Sequence, residues 1–201
     1  MLPKSSMPFT RRTSLTACAM SLAFFATFAT AERSFAAVCE NHPDVGWLLK
    51  PNDPPPSDEI AIRKLLARYH WALDDHRSLQ LEDLFDDKVV YELCNAAGDQ
   101  LTMANDSGKL KSYLGLYFAS FDQSGTQPRH IESNTLLNAI DANTVEGKST
   151  VVVTLQHSDI ETPVLDYTGE LRTEFKKVGN AWRFSRITLI TDGPRLQLRA
   201  R

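Results

Sequence analysis

Val145-Glu-Gly-Lys-Ser-Thr-Val-Val-Val-Thr-Leu-Gln-His157 and Leu165-Asp-Tyr-Thr-Gly-Glu-Leu-Arg-Thr-Glu-Phe-Lys-Lys177 decide how this chain folds. In the first segment one register collects Val145, Gly147, Ser149, Val151, Val153 and Leu155, and the other collects Glu146, Lys148, Thr150, Val152, Thr154 and Gln156. In the second, Leu165, Tyr167, Gly169, Leu171 and Phe175 oppose Asp166, Thr168, Glu170, Arg172, Glu174 and Lys176. A period of two with one apolar register is the pattern of strands half-buried in an antiparallel sheet. Asp141-Ala142-Asn143 and Gly179-Asn180 supply turn residues that tolerate positive φ between such strands. The whole stretch from Pro128 to Asp192 therefore reads as a four-strand meander whose apolar face needs a cover.

That cover lies upstream. Ser57, followed by Asp58 and Glu59, suits a helix start, and Ile62, Leu65, Leu66, Tyr69, Leu73 and His76 recur at helical spacing after it. A short second helix is expected from Ser78 to Phe85. A strand follows from Lys88 to Cys94, with a turn at Asn95 to Gly98 and a return strand near Leu101 to Met103. Asp106 or Ser107 caps a third helix carrying Leu110, Tyr113, Leu114, Tyr117, Phe118 and Phe121. Helices early and strands late imply an α+β domain, with helices on one face of a bent sheet and a concavity between them.

Outside this block the chain changes character. Lys4, Arg11 and Arg12 precede an uncharged run from Leu15 to Ala29, with small residues at Ser34 and Ala36. That run is shorter than the roughly 18–20 apolar residues of a membrane span, so residues 1–36 read as an export signal cleaved after Ala36. The expected destination is periplasmic or secreted, with no membrane association after cleavage. Arg11-Arg12-Thr-Ser-Leu matches a twin-arginine signal only in part, so the route is left open.

Cleavage removes Lys4, Arg11, Arg12, Arg33 and Glu32, leaving 18 basic against 24 acidic side chains and a formal charge of −6. Such a surface repels phosphate backbones and excludes nucleic acid as a partner class. Cys39 and Cys94 remain in the mature chain, and an oxidising compartment favours a bond between them. Residues 37–56 hold five prolines and read as an extended arm, with Trp47 docking it to the domain. Residues 193–201 form a tail.

The segment Ile62-Arg-Lys-Leu-Leu-Ala-Arg-Tyr-His-Trp-Ala-Leu-Asp74, the Leu84-Phe-Asp-Asp87 after it, Arg129-His-Ile-Glu-Ser-Asn134 opening a strand, and the Gly179-Asn-Ala-Trp-Arg-Phe184 hairpin together resemble the SnoaL-like group of the nuclear transport factor 2-like superfamily. The resemblance covers residues 57–192. It implies a cone-shaped roll in which a strongly bent mixed sheet is covered by three helices, frequent homodimers, and no metal or organic cofactor. A dimer through the outer sheet face also suits Val152, Leu136 and Ile140, which interrupt otherwise polar registers. The fold hosts dehydratases, isomerases, cyclases, hydrolases and binding modules, so it specifies chemistry weakly.

Group members such as scytalone dehydratase and hexachlorocyclohexane dehydrochlorinase carry an Asp late in the first helix and a His opening the first long strand. Asp74 and His130 stand at the matching places, and Tyr69 at a cavity-lining helix position. Asn134 is expected to share a strand face with His130. An imidazole held by a carboxylate has a fixed tautomer and raised basicity, which suits removal of a carbon-bound proton.

Other readings stand beside these. Periodicity puts Asp74 on a solvated helix face, Tyr69 belongs equally to the core stripe, Asn134 equally suits a bond to backbone, and Asp75 competes for the carboxylate role. His70, His76 and His157 form no ligand set with neighbouring Cys or carboxylates, so no metal is expected. Two functions follow. One is a cofactor-independent lyase or isomerase acting on a small, largely apolar molecule through His130 and Asp74, with Tyr69 and Asn134 binding the substrate. The other is a non-catalytic exported domain for small-ligand binding or assembly.

Overall fold

The computed structural model describes residues 46–193. Two α-helices and six strands follow one another as α1 (Pro56–Asp74), β1 (Phe85–Cys94), β2 (Gln100–Ala104), α2 (Ser107–Ser124), β3 (Thr126–Asp141), β4 (Thr144–His157), β5 (Val164–Val178) and β6 (Ala181–Thr191). The strands form a single sheet in the order β2-β1-β6-β5-β4-β3. Every neighbouring pair is antiparallel except β1 and β6, which run parallel, so the sheet is mixed. The expected signal segment, Cys39 and the tail beyond residue 193 lie outside the described residues.

The alternation read from the sequence becomes the inner face. Val145, Gly147, Ser149, Val151 and Val153 are buried on β4, opposite Phe175, Thr173, Leu171, Gly169 and Tyr167 of β5. Gly169 is required there: a Cβ would meet the carbonyl oxygen of Ile190 at 2.4 Å. Leu165 leaves the pattern, being 62% exposed, because a bulge between Val153 and Thr154 shifts the pairing so that Thr154 faces Leu165.

Helix α1 lays Ile62, Leu65, Leu66, Tyr69 and Leu73 into a core shared with Leu110, Leu114 and Phe118 of α2 and with Phe85, Phe175, Phe184 and Ile187 of the sheet. Its first turn is tied down by Asp58, whose Oδ1 accepts from Trp182 Nε1 at 3.0 Å and from Lys177 Nζ at 2.9 Å. The arm is also anchored. Asn52 N–H donates to Asn138 Oδ1 at 2.9 Å, and Ala139 N–H donates to the Asn52 carbonyl at 2.7 Å.

Three expectations are corrected. Helix α1 starts two residues earlier than expected, with Pro56 at its first position and Pro55 as its cap in place of Ser57. The reason is that proline's fixed φ and missing N–H suit the first turn, where no donor is needed. The expected second helix is one 3-10 turn, Ser78–Leu81, so two α-helices and not three cover the sheet. Asp83 at φ 64° stops the turn and Phe85 already belongs to β1; Leu79, 85% exposed, contributes nothing to the core. His76, placed in the helix stripe from sequence, lies beyond the end of α1 at φ 53°, stacks on Phe118 and Phe121, and pairs with Asp122 at 2.8 Å. The cap of α2 is as read: Asp106 accepts from Lys109 N–H at 2.7 Å.

Candidate functional site

Strand β3 is an edge of the sheet, and its open side is met by the C-terminal half of α1. Pro128 has no N–H to leave unpaired at this edge, and the Gln127 amide donates to the Asp74 carbonyl that ends α1. These contacts latch the helix end against the strand start. They bring two helix residues one turn apart, His70 and Asp74, against two strand residues on one face, His130 and Glu132.

Asp74 and His130 form the first pair. Asp74 Oδ1 accepts the His130 backbone N–H at 3.0 Å and the ring Nδ1–H at 2.7 Å. The carboxylate therefore fixes the tautomer with hydrogen on Nδ1, and Nε2 carries the lone pair. The two side chains are 8% and 3% exposed. Asp75, the rival carboxylate, is exposed and accepts from the Gln80 side-chain amide at 3.4 Å.

The basicity expected from this pairing is reversed. Burial pushes the His130 pKa below its ordinary 6.5, and the bond to Asp74, which acts the other way, does not compensate; the neighbouring His70 adds to the lowering. The ring is consequently neutral, and able to accept a proton, at neutral pH.

His70 and Glu132 form a second pair that the sequence reading passed over. His70 Nε2 lies 3.0 Å from Glu132 Oε2, and Thr135 Oγ1 donates to Glu132 Oε1 at 3.0 Å. Burial alone would raise the Glu132 pKa, but the bonds from His70, Ser149 and Thr135 outweigh it and hold the carboxyl below its usual range. The His70 ring stacks on that of His130, with centroids 5.9 Å apart and planes 27° from parallel, and its Nδ1 is buried without a partner. Both residues were legible as spacings: His70 is four before Asp74 on a helix, and Glu132 two after His130 on a strand.

Over these pairs lies a cleft of about 430 Å³, lined by Arg63, Leu66, Ala67 and Trp71 of α1 and by Arg129, Ile131 and Thr135 of β3. It is apolar on its sides and basic at its rim, with the four paired groups in its lining. Neither of the expected binding residues lines it. Tyr69 is buried in the core against Phe85 and Phe184, where desolvation raises its pKa far above the tyrosine norm. Asn134 is exposed at φ 55°, in a bulge that interrupts pairing between Ser133 and Leu136, and the bulge cancels the four-residue spacing that would have aligned it with His130. Among the described residues no group of three or more His, Cys, Asp or Glu is arranged to hold a metal ion, and no helix is long and apolar enough to cross a membrane.

A bent mixed sheet with two helices on its inner face is the α+β architecture of the cone-shaped, nuclear transport factor 2-like fold. Residues 56–188 match the SnoaL-like domain model, and the chain belongs to that family. Its fold is similar to a protein from Novosphingobium aromaticivorans provisionally named a scytalone dehydratase, at 18% identity over 67% of this chain and 84% of that one, with a TM-score of 0.57. It is similar as well to a hexachlorocyclohexane dehydrochlorinase, LinA type 2, at 13% identity over 67% and 85% with a TM-score of 0.56. A third similar structure is the β subunit of a provisionally named aromatic-ring-hydroxylating dioxygenase from Novosphingobium aromaticivorans, at 21% identity over 69% and 92% with a TM-score of 0.59. At these identities the likeness concerns the fold. No curated protein sequence matches the chain.

Proposed function

We propose that the chain is a cofactor-independent lyase or isomerase that acts on a small, largely apolar molecule, with His130 as general base and Asp74 as its orienting partner. The observation that carries this reading is the 2.7 Å bond from His130 Nδ1 to Asp74 Oδ1 in the lining of the cleft. It directs the free lone pair of a neutral imidazole at Nε2, and depressed basicity keeps that lone pair available at neutral pH. In an elimination, Nε2 takes a proton from carbon, the C–H pair becomes the new C=C bond, and the leaving group departs with its own bonding pair. In an isomerisation the same proton is returned at another carbon. The apolar walls of Leu66, Ala67, Trp71 and Ile131 suit a substrate of low polarity.

Export after removal of residues 1–36, a Cys39–Cys94 bond and a homodimer through the outer sheet face belong to the same proposal. Closing a loop of about 55 residues stabilises a fold by roughly 4 kcal/mol in the chain-entropy model. Two titratable thiols in the exported protein would overturn the bond, and a monomer in sedimentation at tens of micromolar would overturn the dimer.

The decisive experiment is a screen of small elimination and isomerisation substrates against the wild type and His130→Ala. Turnover that disappears in the variant supports the base; full activity in the variant overturns it. A binding module is the second reading, favoured by the 3% exposure of the His130 side chain, which puts Trp71 and Ile131 ahead of the imidazole in meeting a ligand. Ligands that bind in the screen and never change would decide for that reading.

A further inference from the structure

The four buried polar side chains at the seam form a crossed arrangement. The helix gives an acid to the strand's histidine, and the strand gives an acid to the helix's histidine. One pair would suffice to orient a general base. The second adds a buried imidazole stacked on the first, an orphaned ring nitrogen, and a carboxylate held by three donors. Buried polar groups carry a cost in stability unless satisfied, and an unpartnered buried nitrogen is a further cost that packing alone does not explain.

The geometry points to His70, clamped by Glu132, as a positioning residue for His130: the stacked imidazole fixes the plane of the base, and the two rings share a space in which only one can readily carry charge. The inference rests on the reading of His130 as the base of the site and extends it by naming what controls that base. Protonating one imidazole 5.9 Å from another in a water-poor seam disfavours protonating the second. Glu132 keeps the His70 ring in place through Nε2, with Thr135 bracing the far carboxylate oxygen.

Other groups that face His130 from the packed elements are Asp74 and Arg63 of α1, His76 in the turn beyond it, Arg129 and Glu132 of β3, and Tyr167 of β5, which lies in the same cross-strand row through Val153. Asp74 is shared by both ring protonation states as the Nδ1 acceptor, and Arg129 and Arg63 belong to the rim. Among the described residues, His70 is the titratable side chain whose ring stacks on that of His130.

The test needs no substrate. The full chain labelled with ¹⁵N and ¹³C at histidine is titrated by NMR, and the His130 signal is assigned by its loss in His130→Asn. In the wild type the His130 curve should carry a second inflection at the His70 midpoint, and the long-range ¹⁵N pattern should show His70 held as a single tautomer. The variant His70→Phe keeps a planar ring under His130, removes the charge of the second imidazole and leaves Glu132 in place. It should move the His130 midpoint upward by about one pH unit, the shift expected from losing one nearby like charge. Glu132→Gln alone should release the single-tautomer pattern of His70.

Two independent one-step curves in the wild type would overturn the proposal without any variant. A His130 midpoint unmoved in folded His70→Phe would also overturn it. If the titrations couple and shift as stated while the substrate screen finds no turnover, the catalytic reading fails and the His70 assignment stands.

Discussion

Helix α1 closes two seams with opposite chemistry. Toward the concave sheet it presents Ile62, Leu65, Leu66, Tyr69 and Leu73, which meet aromatic and aliphatic side chains. Toward the edge strand it presents Arg63, Ala67, His70 and Asp74, which meet His130, Glu132 and a cleft. The first seam is redundant: burial is non-directional, and any well-shaped apolar residue serves it. The second depends on individual atoms, since a carboxylate removed there leaves a buried imidazole without its partner. One helix thus separates what holds the domain together from what could act on a ligand, and the two can be perturbed separately.

The largest effect expected at the polar seam is that of His130→Ala, a loss of 10²- to 10⁴-fold in turnover, the usual worth of a positioned general base. Circular dichroism should show the fold retained, because the core on the other side of the helix is untouched. Asp74→Asn should fall nearly as far, since an amide can hold the ring in the wrong tautomer and cannot stabilise the imidazolium that forms. A variant retaining most of its kcat would break the comparison, as it would make the seam structural.

At the apolar seam, Phe184→Ala should lower the unfolding free energy by about 3–5 kcal/mol, read from urea denaturation. Phe184 is fully buried and packs against the rings of Tyr69, Phe85 and Phe175, so its loss leaves a cavity walled in part by rigid rings. Where the variant still folds, turnover per folded molecule should be close to that of the wild type.

The pH dependence should be moderate. A histidine whose pKa is lower in the folded than in the unfolded chain binds its proton more readily when unfolded, so the stability it contributes is present above about pH 6.5 and is lost as pH falls toward the depressed folded value. Urea midpoints measured from pH 7.5 downward should decline in that window, and His130→Asn should flatten the decline. The acid limb of kcat/KM should lie below pH 6.5 for the same reason.

The smallest effect belongs to Asn134→Gly. The exposed bulge at φ 55° accepts glycine without strain, so stability should stay within about 0.5 kcal/mol and turnover within twofold. A large loss of activity would return Asn134 to the site.

The sheet was legible because strand alternation is a local property: Val145 to Val153 and Tyr167 to Phe175 repeat every two residues, and only one register can face a core. The stripe of α1 was legible for the matching reason at helical period. Where a second interaction competed with the pattern, local reading failed. The apolar run from Ser78 to Phe85 has helical composition, but Asp83 at positive φ and the pairing of Phe85 with Phe184 end it after one turn. Asn134 followed the rule of alternation into a bulge that the alternation itself cannot reveal.

Sequence by itself determined the α+β class, the inner register of β4 and β5, the apolar face of α1 and a cap for α2 at Asp106 or Ser107, because each follows from spacing within a few residues. Asp74 shows where that reach ends. Helical periodicity alone leaves it on a solvated face, and family resemblance could name it without saying what it would touch. Only the tertiary structure buries it, by bringing an edge strand 56 residues away in sequence against the end of α1, where Oδ1 takes two donors from one residue. The same long-range approach joins His70 to Glu132 and depresses the His130 pKa. These are properties of juxtaposition and desolvation, and both are set by residues far apart in the chain.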